Sequence, residues 1–200
     1  MASYFLVGAL AYFIGTTSFA DIASRLAGDG TTNVRSDGSG NPGALNTASV
    51  HGKGWGVAVL VADLGKGVLA ARLGHVIAGN LGMAIACMAV VIGHCFPLWT
   101  RFRGGKGIAT TGGILIAAFP LGAPFVIATI AAAALATKST ARAALAAAAV
   151  LVAVSALWWR QGYWDAWGIR GSATLFVMSA AIALIVSSRF AVVPKTPATR

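Results

Sequence analysis

Apolar stretches close to the roughly 20 residues a helix needs to cross a bilayer recur along the chain, at 4–22, 55–78, 81–99, 141–159 and 172–188. Between the third and the fourth lies a longer apolar region, 108–137, interrupted by Pro120 and Pro124. It is too long for one untilted helix, and the phrase FPLGAP supplies a turn, which divides it into spans near 108–119 and 123–137. The pattern predicts an all-α integral membrane protein of about seven transmembrane helices, the fourth of them short, forming one domain over residues 1–200. No internal repeat, coiled coil or second soluble domain is visible. The alanine tract 143–149 reads as a close-packing helix face.

Composition agrees with lipid as the solvent, since 58% of the 200 residues are hydrophobic and only 10% are charged. Lys and Arg total 15 against five acidic residues, all of them Asp. Such an excess could attract nucleic acid or anionic lipid. Its scatter between apolar segments points instead to membrane topology, with no nucleic-acid partner. If the N-terminus is outside and the C-terminus cytoplasmic, the inner segments hold Arg25, Arg35, Lys53, Arg101, Arg103, Lys106, Lys138, Arg142, Arg189, Lys195 and Arg200. The outer ones keep Arg160 and Arg170, as the positive-inside rule requires. Merging the two middle spans would put the basic C-terminus outside. Trp158, Trp159, Trp164 and Trp167 then form an outer interfacial belt. The first apolar stretch lacks the basic leading region of a secretory signal, so a retained first helix is expected.

Some polar residues fall within the spans. Asp63 and Lys66, three apart, share a helix face and can neutralise each other, which reads first as a structural pair. Asp21 is expected to pair with Arg25, four residues on. His75 has no metal partner in sight, His51 sits in a solvated basic loop, and Cys87 and Cys95 read as buried apolar side chains. Nothing calls for a metal or a cofactor.

Two loops differ from the rest of the chain: RSDGSGNPGALN at 35–46, and GHCFPLWTRFRGGKGIAT at 93–110. Glycines at 38, 40 and 43 allow positive φ and turn backbone N–H groups toward one point, with Ser39, Asn41 and Asn46 as neutral hydrogen-bonding groups. Gly104, Gly105, Lys106 and Gly107 repeat the theme with a cation, just before a helix N-terminus that favours an anion. Neither is a Walker motif, because Lys106 is followed by Gly107 rather than Ser or Thr. Either loop alone could be a flexible connection. Two on one face, each with cations, favour phosphate.

Gly38–Asn46 (GSGNPGALN), D-x-x-K-G at 63–67, and GHCFP followed by GGKGIAT at 93–110 together resemble the bacterial acylphosphate-dependent glycerol-3-phosphate acyltransferases, the PlsY family. The likeness covers most of the chain to about Thr140. It implies a multi-pass enzyme of the bacterial plasma (inner) membrane that moves a fatty acyl group from acyl phosphate to the 1-hydroxyl of sn-glycerol 3-phosphate, giving lysophosphatidic acid. By motif match Ser39 and Lys106 are the catalytic candidates. Arg35, Gly38, Gly40, Asn41, Asn46, Gly104, Gly105 and Gly107 are candidate substrate-binding residues. His94 joins them, with a general-base role the lesser alternative to packing at the helix end. The implied partners are acyl phosphate, glycerol 3-phosphate and membrane lipid, with a monomer expected.

The chain also departs from that pattern. Ser49 stands where the family has an arginine, Ala141 aligns with a serine for which Ser139 or Thr140 could substitute, and the family's C-terminal His, Asn and Glu motif is absent. No glutamate occurs anywhere in the chain. A relative with another acceptor or donor, a non-catalytic phosphate- or lipid-binding relative, and a small-anion transporter therefore stay open as alternatives.

Overall fold

The computed structural model describes residues 1–28 and 31–191. Lys195, Arg200 and the end of the segment compared with the family's C-terminal motif lie outside them. The described residues form helices and no strand: α1 Ala2–Thr16, α2 Phe19–Ala27, α3 Ala44–His51, α4 Lys53–Cys95, a short 3-10 turn at Leu98–Thr100, α5 Ile108–Ala118, α6 Ala123–Thr137, α7 Thr140–Gln161 and α8 Ala173–Ala191. Four stretches are long and apolar enough to cross a membrane: Ala2–Ala27, Lys53–Thr100, Thr140–Gln161 and Ala173–Phe190. α5 and α6 are shorter apolar helices, divided where the proline-containing turn was expected.

Three elements differ from the sequence reading. The expected span 4–22 is broken, because Thr17 takes an extended conformation and the Ser18 hydroxyl caps a separate helix, α2, by accepting from the Asp21 N–H at 3.4 Å. The glycine-rich stretch does not stay loop through Asn46 but gives way at Gly43 to α3. The expected spans 55–78 and 81–99 join without a loop. Ala78 and Gly79 alone leave helical geometry, with Gly79 at a φ of 65°, and the arms 53–77 and 80–95 fold back on each other. Gly74 and Gly82 lie face to face in this hairpin, each filling the space where a side chain on the other would stand.

Glycine also sets the approach of neighbouring helices. A side chain at Gly67 would strike the Thr110 carbonyl oxygen, and one at Gly113 would strike the Leu64 backbone, so α4 and α5 cross in backbone contact. Gly15 and Gly93 do the same for α1 and the second arm of α4. Around these crossings lies a core containing Met83, Ile114, Phe119, Leu175, Met178 and Ile182. The exterior is apolar too, with Phe5, Val76, Leu135 and Leu184 all more than two-thirds exposed. Buried polar side chains such as Asp63 and Lys66 lie inside, the distribution lipid selects.

The connections gather at two ends. At one, the Ile169 N–H donates to the Ala118 carbonyl at 2.8 Å and the Leu121 N–H to Asp165 at 3.0 Å, tying the α5–α6 turn to the α7–α8 loop. Trp159, Trp164 and Trp167 are exposed there, but Trp158 turns inward. Its ring is partly buried and packs edge-on against Phe119, Phe125 and Tyr163, the geometry the ring quadrupoles favour. At the other end His51 is not a solvated loop residue. It lies in the last turn of α3, with Nε2 2.9 Å from the Ser24 hydroxyl on α2.

Replacing Gly67 with valine forces α4 and α5 apart and is expected to cost about 1–3 kcal/mol. A Gly65→Val change, at a position facing open space, is the control. The readout is heating in detergent with a thiol-reactive dye, since Cys87 and Cys95 are free and fully buried until the bundle opens. Gly67→Val should shift labelling to lower temperature and Gly65→Val should not.

Candidate functional site

The end that holds His51 encloses a cavity of about 600 Å³. Its walls come from the 38–46 turn and α3, from α4 through Leu60, Asp63 and His94, from Lys106–Ala109, and from Thr140 and Phe190 at the ends of α7 and α8. Ser39 and Lys106, distant in sequence, therefore face one space. So do Gly38, Asn41, Asn46, His94 and Gly107.

The first wall is organised by Asn46, which uses its whole amide to do it. Its Oδ1 accepts from the Ser39 N–H at 2.7 Å, while Nδ2 donates to the carbonyls of Val34 at 2.8 Å and Asp37 at 3.1 Å. Gly38 and Gly40 take φ of 60° and 66°, as expected, whereas Gly43 is extended at −156°. A side chain at Gly38 would collide with the Asn46 amide oxygen. Asn46 thus shapes the turn, and the N–H groups of Ser39 and Gly40 are already used, the latter by Asp37 O at 3.1 Å. Gly40 is not a lining residue. The Ser39 hydroxyl is exposed toward the cavity and makes no hydrogen bond to the described residues.

The second wall begins where α4 ends. Gly104 N–H donates to Cys95 O and Gly105 N–H to His94 O, both at 3.1 Å, so these two groups close the α4 C-terminus and do not point at a ligand. A side chain at Gly105 would occupy the position of the His94 Nε2 edge. The Gly104 and Gly105 carbonyls accept from the Arg189 guanidinium at 3.1 and 3.3 Å, and Arg189 also lies over the Phe96 ring. Gly107, at a φ of 82°, then starts α5, whose first N–H groups have no intrahelical acceptor and face the cavity with Lys106. The Lys106 ammonium lies 4.5 Å from the Phe190 ring centroid. Partial burial, and then the nearby Arg189, hold its pKa below the ordinary lysine value of 10.5.

Arg35 is placed elsewhere. Its guanidinium forks onto Asp21 at 2.7 and 2.6 Å and donates to the Arg103 carbonyl at 2.6 Å, outside the cavity lining. Asp21 therefore pairs with Arg35 across α2 and the loop, not with Arg25. Ser49 stands in the cavity wall, as does Thr140, while Ser139 caps α7 by accepting from the Arg142 N–H. Sequence reasoning assigned Arg189 only to the basic cluster and missed its grip on the glycine loop. The signal, a basic residue closing an apolar helix, is the same for both roles.

Below the polar floor an apolar groove runs between α5, α6, α7 and α8, sharing Ile108 with the cavity and reaching Leu115, Val126 and Leu151. Asp63 and Lys66 are paired at 2.7 Å, both almost wholly buried, and His94 Nδ1 lies 2.7 Å from the same ammonium. Among the described residues no group of His, Cys, Asp or Glu has the arrangement of a metal site.

The sequence profile of the family described as glycerol-3-phosphate acyltransferase matches residues 5–193. Similar proteins of that name include one from Azotobacter vinelandii, 40% identical over 158 residues, 78% of this chain and 81% of that protein. Another, from Pseudomonas paraeruginosa, is 43% identical over 116 residues, 58% of this chain. The matched part is about 60% of that relative's length. Two crystal structures of PlsY (YgiH), an integral membrane glycerol 3-phosphate acyltransferase, are also similar, each at 26% identity over 94% of this chain. The glycerol 3-phosphate form superposes with a TM-score of 0.77 over 88% of its chain, and the lysophosphatidic acid form with 0.76 over 87%.

If Arg35 is a strut, Asp21→Asn and Arg35→Gln should each speed tryptic cleavage in the 101–106 loop, and the double variant should cleave no faster than either single one. Additive acceleration would show that the two residues act separately.

Proposed function

The chain belongs to the glycerol-3-phosphate acyltransferase family, and from that premise we propose that it moves a fatty acyl group from acyl phosphate to the 1-hydroxyl of sn-glycerol 3-phosphate. The products are lysophosphatidic acid and inorganic phosphate. The observation that carries this reading is that a polar cavity holding Ser39 and Lys106 adjoins an apolar groove, the two sharing Ile108 in their walls. Such a site accepts a molecule that is phosphate at one end and hydrocarbon at the other. Each methylene buried in the groove contributes about 0.8 kcal/mol.

The chemistry asks mainly for alignment. Acyl phosphate has a good leaving group, so the acceptor hydroxyl oxygen can attack the acyl carbon directly while the carbon–oxygen bond to phosphate breaks, with no acyl-enzyme. Lys106, the Ser39 hydroxyl and the open N-terminus of α5 offset the charge of two anionic substrates and of the departing phosphate. The hydroxyl proton passes to a phosphate oxygen of the substrate. Gly38 and Asn46 hold Ser39 in place, Gly104 and Gly105 seat Lys106 through the end of α4, and Arg35 secures the outer edge through Asp21 and Arg103. Thr140 takes the place of the family's serine. At the position of the missing arginine, Ser49 leaves the cavity one cation poorer, which raises the demand on Lys106.

The same reading puts this end of the bundle in the cytoplasm. Seven passes, counting α1 with α2 as one and the two arms of α4 as two, carry the N-terminus outside and the C-terminus inside, in the bacterial plasma membrane. The protein works as a monomer without metal or cofactor. No residue lining the cavity comes from the far end of the bundle, where a transport path would have to continue.

Protein reconstituted with palmitoyl phosphate and radiolabelled glycerol 3-phosphate should form lysophosphatidic acid, and Lys106→Ala should lower kcat/KM about 10²–10³-fold. Because the charged form of Lys106 is the useful one and its pKa lies below 10.5, kcat/KM should fall as pH rises through that lowered value. Lys106→Arg should remove the alkaline limb. No product from the unmodified protein sinks the proposal.

A further inference from the structure

The buried trio Asp63, Lys66 and His94 has no place in the alignment chemistry above. In a helix bundle with an apolar exterior, a nearly inaccessible ammonium is costly unless every proton on it finds an acceptor. Its surroundings meet that condition. The Lys66 Nζ lies 2.7 Å from the Asp63 carboxylate, 3.0 Å from the Thr17 carbonyl and 2.7 Å from His94 Nδ1, with the Gly15 carbonyl further out at 3.4 Å. A carboxylate and carbonyls only accept, and an ammonium only donates. The nitrogen of His94 that meets the ammonium must therefore offer a lone pair, and the ring proton is forced onto Nε2.

The ring also borders the ligand space. His94 lines the cavity, about nine-tenths of its side chain is buried, and its Nε2 makes no hydrogen bond to any described residue. Gly105 packs against that edge and leaves no room for a side chain over it. The groups charged or titratable around the ring are Asp63 and Lys66 on the first arm of α4, Cys95 beside it, and Arg189 from α8. None of them contacts Nε2.

We propose that Asp63 and Lys66 are positioning residues that hold His94 as the Nε2–H tautomer, so that His94 donates a hydrogen bond to a phosphate oxygen of the substrate in the cavity and does not act as a general base. The carboxylate fixes the ammonium, the ammonium fixes the tautomer, and the tautomer supplies one neutral donor in a cavity that Lys106 also lines. This inference rests on the phosphate-ligand reading above, and it explains why an ion pair is kept at depth in α4 when an apolar pair would fill the space at less cost in desolvation.

The test is nitrogen NMR of ¹⁵N-histidine-labelled protein in detergent. The chain has three histidines, and His94→Gln identifies the resonances of His94. At neutral pH the unmodified protein should show Nε2 protonated and Nδ1 as an unprotonated acceptor, and glycerol 3-phosphate should shift the Nε2–H signal. A proton on Nδ1, a doubly protonated ring, or an Nε2–H signal that ignores glycerol 3-phosphate overturns the proposal. Lys66→Met should give a mixture of tautomers and lower kcat more than it raises KM; an unchanged tautomer in a folded variant also overturns it. Should that variant not fold, the spectrum of the unmodified protein decides. His94→Gln keeps an amide N–H at similar reach and should retain more activity than His94→Leu. A protein that passes the spectroscopic tests but makes no lysophosphatidic acid leaves this assignment standing and removes only the acyl-transfer reading.

Discussion

One ammonium group, on Lys66, holds three parts of the molecule in register. It reaches the two carbonyls left open at the end of α1, the carboxylate one turn back on its own helix, and the imidazole at the far end of the α4 hairpin. A helix end buried in apolar surroundings must satisfy its last carbonyls somehow, and here a cation from a neighbouring helix does it. The break at Thr17, just ahead of α2, and the imidazole of His94 both adjoin this ammonium. Because a buried charge tolerates little displacement, the geometry around it is stiff.

Stiffness at that point makes the cavity possible. α1 and α4 meet at Gly15 and Gly93, α4 and α5 at Gly67 and Gly113, and in each case the backbones touch. The floor of the site is thus built from contacts that do not depend on flexible side chains. On it rest two short loops, each shaped by hydrogen bonds from one polar side chain. Asn46 closes the 34–39 turn through three hydrogen bonds, and Arg189 holds the glycines ahead of Lys106 through two. Ser39 and Lys106 are left facing the cavity.

Much of this was legible in the sequence. Apolar stretches of bilayer length mark the helices because lipid permits few other arrangements, and the turns at Gly79 and at Pro120 fell where the pattern placed them. The pairing of Asp63 with Lys66 followed from a spacing of three on one helix. The partner of Asp21 did not, since Arg25 and Arg35 are both near in sequence and only the fold of the 31–43 stretch brings Arg35 across. Trp158 was misplaced for a similar reason. Its residue type fits an interface, and its partial burial depends on aromatic partners from other segments, Phe119 and Phe125.

The sequence by itself determined the all-helical, lipid-suited character of the chain and where its apolar runs divide, because these depend on local composition and on the length of apolar runs. It also singled out Ser39 and Lys106, whose neighbours form contiguous motifs and which the fold brings to one cavity. Tertiary structure alone decided which polar groups remain available. Asn46, Arg35 and the N–H groups of Gly104 and Gly105 look as ready for a phosphate as Ser39 does when read along the chain. In the folded protein they are spent on Ser39, Asp21 and the end of α4. A hydrogen-bonding group has a fixed capacity, and what consumes it here comes from residues up to tens of positions away, a distance that no local pattern records.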